Sequence, residues 1–287
     1  MTHNGPQPLP ELAVTGSTGA VGGHVSRLLA DRGLSQRLLA RTPSRAPDLP
    51  RAVVVPFAYR DDEETARALA GVRVLFMVSG AESEDRLDQH RAFVDAAARA
   101  GVEQVVYTSF VGAAPDAVFT LARDHFATEQ HIRESGMVWT FLRDNFYADF
   151  MPMLVGEDGV IRGPAGAGRA AIVARTDVAR VAAAVLADPS AHAGRTYGLT
   201  GPEALDFSEI AAIVAAQQGR EVRFHDETVE EAYESRRVWA APDWQVDAWV
   251  STYTSIASGA MADVTHDVES ITGMPPLSLA QLLRQDG

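Results

Sequence analysis

The chain contains no cysteine, which excludes a disulfide framework, a thiolate metal site and a cysteine nucleophile. Lysine is absent as well, all 25 basic residues being arginine. That removes Schiff-base chemistry and a P-loop lysine, so any catalytic scheme must work without an ammonium group. No window reaches the roughly 18 consecutive apolar residues of a membrane span, and residues 1–10 lack the apolar core of a secretory leader. We therefore expect a soluble, cytoplasmic protein with no membrane partner and no metal. The formal net charge of −13 argues against a nucleic-acid partner, because phosphate binding rests on clustered basic side chains that release counterions. At 287 residues and 46% apolar content, the chain can hold one large α/β domain with an appendage, or two small domains.

What is present is organised around residues 11–25, ELAVTGSTGAVGGHV. A short apolar run ends in Gly16, Gly19 and Gly22, and an amphipathic pattern (Val21, Val25, Leu28, Leu29) begins at once: strand, tight turn, helix. Glycine suits those places because the turn is sharp, a pyrophosphate must meet bare backbone, and the helix must sit close on the strand. The helix N-terminus then offers free N–H groups and a positive dipole end to phosphates. Glycine turns also join strands to helices without any ligand, but here alternating strands and helices follow along the chain.

Residues 35–40 read as a second strand ending on Arg41-Thr42-Pro43-Ser44-Arg45. An NAD enzyme carries an acid about here for the ribose 2′-hydroxyl; a base here suits the 2′-phosphate of NADP. Arg41 is the first choice for that phosphate, with Thr42 and Arg45 in support; a solvated loop arginine is the alternative. Further strands are expected at 52–55 and 72–78, the latter finishing at Met77-Val78-Ser79 where a doubly wound sheet opens its crevice. A helix over 85–100 carries His90 as a packing residue. A strand over 104–110 puts Tyr107 and Ser109 on one face, Thr108 and Phe110 on the other. On the next helix His125 and Glu129, four apart, share a face, so an ion pair that raises the imidazole pKa is expected, either at the nicotinamide or merely exposed. The strand over 138–143 runs into an abruptly aromatic, Met-rich stretch, DNFYADFMPM, suited to a flat substrate pocket. Residues 156–168 read as a hairpin or loop, 171–174 as a short strand, and Thr176-Asp177 as the cap of a helix, with Asp177 a dipole-compensating acid. From Gly194 a smaller unit is expected, holding a strand over 195–199; two of Trp239, Trp244, Trp249 and Tyr253 should be core.

The segments VTGSTGAVGGHV, RLLARTPSRA, QVVYTSFVGA, LARDHFATEQHIRESG, WTFLRDNFYADF and ARTDVARVAAAVL together resemble the NmrA-like branch of the atypical short-chain dehydrogenases, close to type 2 NADPH:quinone oxidoreductases and triphenylmethane reductases. The likeness spans nearly the whole chain. It implies a Rossmann-like α/β fold, a doubly wound parallel sheet with a smaller α/β C-terminal substrate domain. Residues 9–155 with 171–193 would bind the dinucleotide, and residues 156–170 with 194–287 the substrate. For NADP(H) it implies contacts from Gly16, Ser17, Thr18, Gly19, Ala20, Val21, Arg41, Thr42, Arg45, Met77, Val78, Ser79, Thr108, Ser109, His125, Asn145 and Phe146. His125 stands where related reductases often have a lysine.

The expected activity is hydride transfer from NADPH to a planar, electron-poor acceptor such as a quinone or conjugated aromatic carbonyl, without the Tyr-x-x-x-Lys pair of ordinary short-chain dehydrogenases. Phe110, Asn145, Phe146, Tyr147, Phe150 and Met151 would line the substrate pocket, and His125, Ser109 and Tyr147 are the candidate catalytic residues. Two rivals are a ketoreductase acting on a polyaromatic ketone and a non-catalytic NADP(H) redox sensor. The partner is a small aromatic or quinone-like molecule, with the chain a monomer or homodimer.

Overall fold

The computed structural model describes residues 9–285. The expectation for residues 1–8, and for 286–287 as part of the smaller unit, lies outside the described residues. The first half alternates strand and helix: β1 (Leu12–Val14), α1 (Ala20–Asp31), β2 (Gln36–Ala40), β3 (Ala52–Pro56), α2 (Glu63–Leu69), β4 (Val74–Met77), α3 (Arg86–Arg99), β5 (Gln104–Phe110), α4 (Thr120–Glu134) and β6 (Val138–Asp144). The second half adds β7 (Val160–Gly163), α5 (Arg175–Ala187), β8 (Arg195–Leu199), α6 (Phe207–Gln218), β9 (Arg223–Asp226), α7 (Val229–Arg236), α8 (Asp243–Ala257), α9 (Asp267–Thr272) and α10 (Leu279–Gln285). Among the described residues no helix is long and apolar enough to cross a membrane.

Seven strands form one parallel sheet in the order β3-β2-β1-β4-β5-β6-β8. The strand order reverses between β1 and β4, and at that switch point a crevice opens beyond the strands' C-terminal ends. The inner strands β2, β1, β4 and β5 are covered on both faces and almost wholly buried, whereas the outer β3 and β8 are partly exposed. On one face α1 and α5 pack over Val14, Phe76, Val106 and Leu142. On the other, α2, α3 and α4 pack over Leu75, Val105 and Phe141. A third cluster joins Phe110 at the end of β5 and Phe119 before α4 to Ile161, Phe207, Ile210 and Tyr253 of the second half.

Three sequence expectations are corrected here. The strand over 195–199 is not part of the smaller unit: β8 pairs in parallel with β6, Thr140 against Arg195 through Asp144 against Leu199. Helix α9 follows it back, burying Val268 beneath α5, while the Asp267 carboxylate accepts the Gly198 N–H at 2.8 Å. Residues 156–168 hold no hairpin, because β7 pairs in parallel with β9, some 60 residues further on. Of the four aromatic residues expected to divide between core and cleft, Tyr253 alone is buried, and Trp239 is 62% exposed.

The helix expected to be capped at Thr176-Asp177 begins at Arg175, with Asp177 in its first turn. Asp177 is fully buried, accepts the Leu277 N–H at 2.7 Å and pairs with Arg180. It thus fastens the C-terminal segment to the sheet. Asp177→Ala should lower stability by about 2–4 kcal/mol in urea unfolding, since it strands a backbone donor and a partly buried guanidinium together.

Candidate functional site

At the end of β1 the backbone of Gly16 turns through φ +65°, and the Gly19 N–H bonds the Gly16 carbonyl at 2.9 Å. Helix α1 starts immediately with no side-chain cap and no acid in its first turn. Its leading N–H groups belong to exposed residues, Thr18 to Ala20, beside Val21, which packs inward. A Cβ on Gly22 would stand 2.4 Å from the Gly16 carbonyl oxygen, so the close seat of helix on strand requires glycine there. The Ser17 hydroxyl is buried without a hydrogen-bond partner. An uncapped helix end, bare backbone and an unpartnered hydroxyl fit a dinucleotide pyrophosphate. Arg41, Thr42 and Arg45 stand exposed past the end of the adjacent β2, as a 2′-phosphate on that dinucleotide would need.

The crevice floor is knitted by side chains. Thr15 Oγ1 accepts the Val78 N–H at 2.8 Å and the Tyr59 hydroxyl at 3.0 Å, and Tyr59 also reaches the Val78 carbonyl at 2.5 Å. Burial pushes the Tyr59 phenol up to about 12 against the nearby positive charges of Arg41 and Arg86. Thr108 Oγ1 accepts the Ser79 N–H at 2.8 Å. Val78 and Ser79 line the strand end as expected, but the Met77 side chain is buried in the core on the α3 side.

The expected pairing of His125 with Glu129 does not occur. Residues four apart on a helix are separated by about 6 Å, close to the two-residue step of a strand. Each therefore meets its own partner on β5: His125 Nδ1 lies 3.0 Å from the Tyr107 hydroxyl, and Glu129 accepts the Ser109 hydroxyl at 2.6 Å. Glu129 is fully buried and neutralised by Arg143 through two bonds of 2.8 and 2.7 Å, with Arg133 at 3.3 Å. His125 Nε2 lies 2.9 Å from an Arg86 guanidinium nitrogen. Guanidinium can only donate, so Nε2 is the acceptor and Nδ1 carries the proton toward Tyr107. Burial, with Arg86 next, holds the imidazole well below its ordinary pKa rather than above it. Ser109 and His125 are thus a committed donor and a neutral ring, not acids ready for a product.

Arg86, unremarked in sequence, is the central cation. It is buried at the first position of α3, donates to the Gly80 carbonyl at 3.0 Å and faces Asp124 at 3.5 Å. A cation there opposes the helix dipole, so no local helix signal reveals it.

Beyond β6 the aromatic stretch divides. Asn145 is buried, donating to the Met261 carbonyl at 3.0 Å and accepting the Phe146 N–H at 2.8 Å, so both ends of its amide are engaged within the protein. Phe110 and Met151, also expected in the pocket, are core residues, Phe110 packing on Phe119 and Phe146 with ring centroids 4.9 Å apart in each case. Phe146 and Tyr147 are half-buried and Phe150 is exposed, and the Arg175 guanidinium lies 4.9 and 4.1 Å from the Tyr147 and Phe150 ring centres. The Tyr147 hydroxyl bonds Asp144 Oδ2 at 2.5 Å. Two surface cavities, of about 470 Å³ against α3 and α4 and about 550 Å³ at α7 and α8, contain none of these residues.

His90 is a packing residue with a titration consequence. Its Nε2 accepts the Gly80 N–H at 2.8 Å and its Nδ1 faces Thr128 Oγ1 at 3.0 Å. Burial, aided by Arg86, depresses the folded pKa to about 3. The unfolded ring takes its proton below about 6.5, so this contribution to stability is complete above that pH and is lost as pH falls toward 3. Urea unfolding should show about 2 kcal/mol less stability from this ring at pH 5 than at pH 7. His90→Gln should flatten the profile by that amount; an unchanged slope would refute the assignment.

The model of the NAD(P)H-binding family matches residues 16–189. The NAD(P)H azoreductase of Xenophilus azovorans is 31% identical over 95% of this chain and 96% of its own length. A (4-alkanoyl-5-oxo-2,5-dihydrofuran-3-yl)methyl phosphate reductase of Streptomyces griseus is 36% identical over 92% and 93%. The structure of the NADPH-dependent quinone oxidoreductase QOR2 of Escherichia coli, complexed with NADPH, superposes with a TM-score of 0.87 at 29% identity, over 96% of this chain and 99% of that one. With its seven-stranded parallel sheet and uncapped glycine turn, the chain belongs to the NAD(P)H-binding, NmrA-like family of oxidoreductases.

Proposed function

We propose that the chain is an NADPH-dependent reductase that delivers hydride to a planar, conjugated, electron-poor acceptor, with a quinone as the type case. The observation that carries this reading is the commitment of Ser109 to Glu129 and of His125 to Arg86 and Tyr107. A simple ketone becomes a strongly basic alkoxide on receiving hydride and needs a nearby acid. A conjugated acceptor becomes a delocalised anion and needs far less help. Azo groups, quinones and alkanoyl dihydrofuranones, the acceptors in the three relatives' names, are all conjugated in this sense.

NADPH would supply the hydride from nicotinamide C4. The protein's share is binding and orientation: Ser17 and the first turn of α1 for the pyrophosphate, Arg41 with Thr42 and Arg45 for the 2′-phosphate, and Phe146, Tyr147 and Phe150 as an apolar wall for a flat acceptor. A phosphorylated dihydrofuranone is a second reading, favoured by the half-buried Arg175 guanidinium on that wall.

Arg41→Ala should raise the KM for NADPH about 10–100-fold, the worth of one charge-assisted hydrogen bond, and leave NADH use unchanged. Nicotinamide absorbance with NADPH or NADH and a panel of benzoquinones, naphthoquinones, azo dyes and polycyclic ketones checks both parts. Turnover confined to polycyclic ketones would replace this reading with the ketoreductase. Dinucleotide binding without oxidation by any acceptor would replace it with a sensor.

A further inference from the structure

Asp144 is the last residue of β6, in register with Phe110 of β5 and Leu199 of β8, at the sheet edge where the crevice opens. It is a buried carboxyl, and no guanidinium is hydrogen-bonded to it among the described residues. The neighbouring arginines are engaged elsewhere: Arg143 with Glu129, Arg86 with Gly80, His125 and Asp124, and Arg175 over the Tyr147 and Phe150 rings. Its side-chain partner is the Tyr147 hydroxyl, 2.5 Å away, carried on the half-buried aromatic wall. A buried carboxylate whose hydrogen-bond partners are neutral, the Tyr147 hydroxyl and its own backbone N–H, is poorly compensated; the same carboxyl protonated is well satisfied.

We propose that Asp144 and Tyr147 form a two-state proton relay for the reduced acceptor, Asp144 setting the direction in which the Tyr147 hydroxyl points. The proposal rests on the reductase reading and extends it to the origin of the proton. When Asp144 is ionised, the Tyr147 O–H must donate inward to the carboxylate. When Asp144 is protonated, its own O–H donates to the Tyr147 oxygen, and the phenolic hydrogen turns toward the crevice. Once the acceptor has received the hydride and its electron pair, its anion takes the Tyr147 proton. The phenolate oxygen takes the Asp144 proton, and the carboxylate is reprotonated from solvent. The sum is NADPH, acceptor and one proton in, NADP+ and the doubly reduced acceptor out.

Burial lifts the Asp144 carboxyl to about 7, while the Tyr147 hydrogen bond, its own backbone N–H, Arg86 of α3 and Arg175 of α5 pull it the other way. Burial and the Asp144 charge hold the Tyr147 phenol well above its usual range, with Arg175 opposing and Asp149 adding to the rise. The flanking strands contribute the uncharged Phe110 and Leu199 at this level. The switch therefore lies near neutrality, and the tyrosine does not ionise by itself.

The test combines a titration without ligand and a pH profile with NADPH and a naphthoquinone. In protein labelled with carboxyl-13C aspartate, one resonance should titrate with a midpoint near 7 and be missing in Asp144→Asn. Wild-type kcat should fall about tenfold between pH 6 and pH 8, following the protonated fraction. Asp144→Asn presents an amide N–H to the Tyr147 oxygen as the protonated acid would, so its kcat should be level across that range. Tyr147→Phe should also be level, but at the low rate supported by water. A wild-type aspartate titration confined below pH 5, a level wild-type profile, or the same slope in Asp144→Asn would overturn the relay while leaving the reductase standing. Absence of NADPH oxidation in the wild type at every pH, with binding retained by fluorescence, would overturn the reductase reading and the relay with it.

Discussion

The seat of α1 on the end of β1 is the constraint from which the rest of the site follows. A glycine at position 22 lets the helix backbone lie directly against the Gly16 carbonyl, so the first N–H groups of α1 emerge at the mouth of the crevice instead of a helix radius away. The same strand end delivers Thr15, whose hydroxyl holds the Val78 amide, and Thr108 repeats the arrangement one strand further with Ser79. Each strand end on the floor is thus fixed to its neighbour by a threonine. A dinucleotide laid across β1, β4 and β5 meets a surface whose amides have already been oriented.

Charge in the site is arranged in an unusual way for a chain without lysine. Arg86 is a buried cation, and burial first, with Arg86 second, depresses the two imidazoles around it, His90 and His125. Glu129 is buried between Arg143 and Arg133 and pairs with both. Asp144 differs from Glu129 in having no guanidinium bonded to it among the described residues, and burial lifts its carboxyl to about 7.

Much of this architecture was legible in the residues. The strand over 104–110 was read to the residue, because seven buried residues between a helix-terminating glycine and a turn admit little else. The glycine turn is legible because the close seat of α1 on β1 is a local constraint. What failed needed distant partners. His125 and Glu129 share a helix face, but only the position of β5 decides whether they meet each other or Tyr107 and Ser109. Asn145 looked like a ligand residue until Met261, 116 residues away, occupied its amide. Arg86 and Asp144 carry no local pattern at all: one is an arginine at an unfavourable helix position, the other an acid after an apolar strand.

The placement of β8 has a consequence for the order in which the protein can be made. The sheet's seventh strand comes from residues beyond β7 and α5, so β6 stays an open edge until the chain has grown past Leu199. During synthesis a nascent chain that has emerged only to Asp144 presents an unpaired parallel strand flanked by Trp139, Phe141 and Leu142. The ribosome-bound intermediate is therefore adhesive for the time needed to make some 55 more residues, at roughly 5–20 residues per second. Chaperone engagement, if it occurs at one stage above others, belongs to that interval.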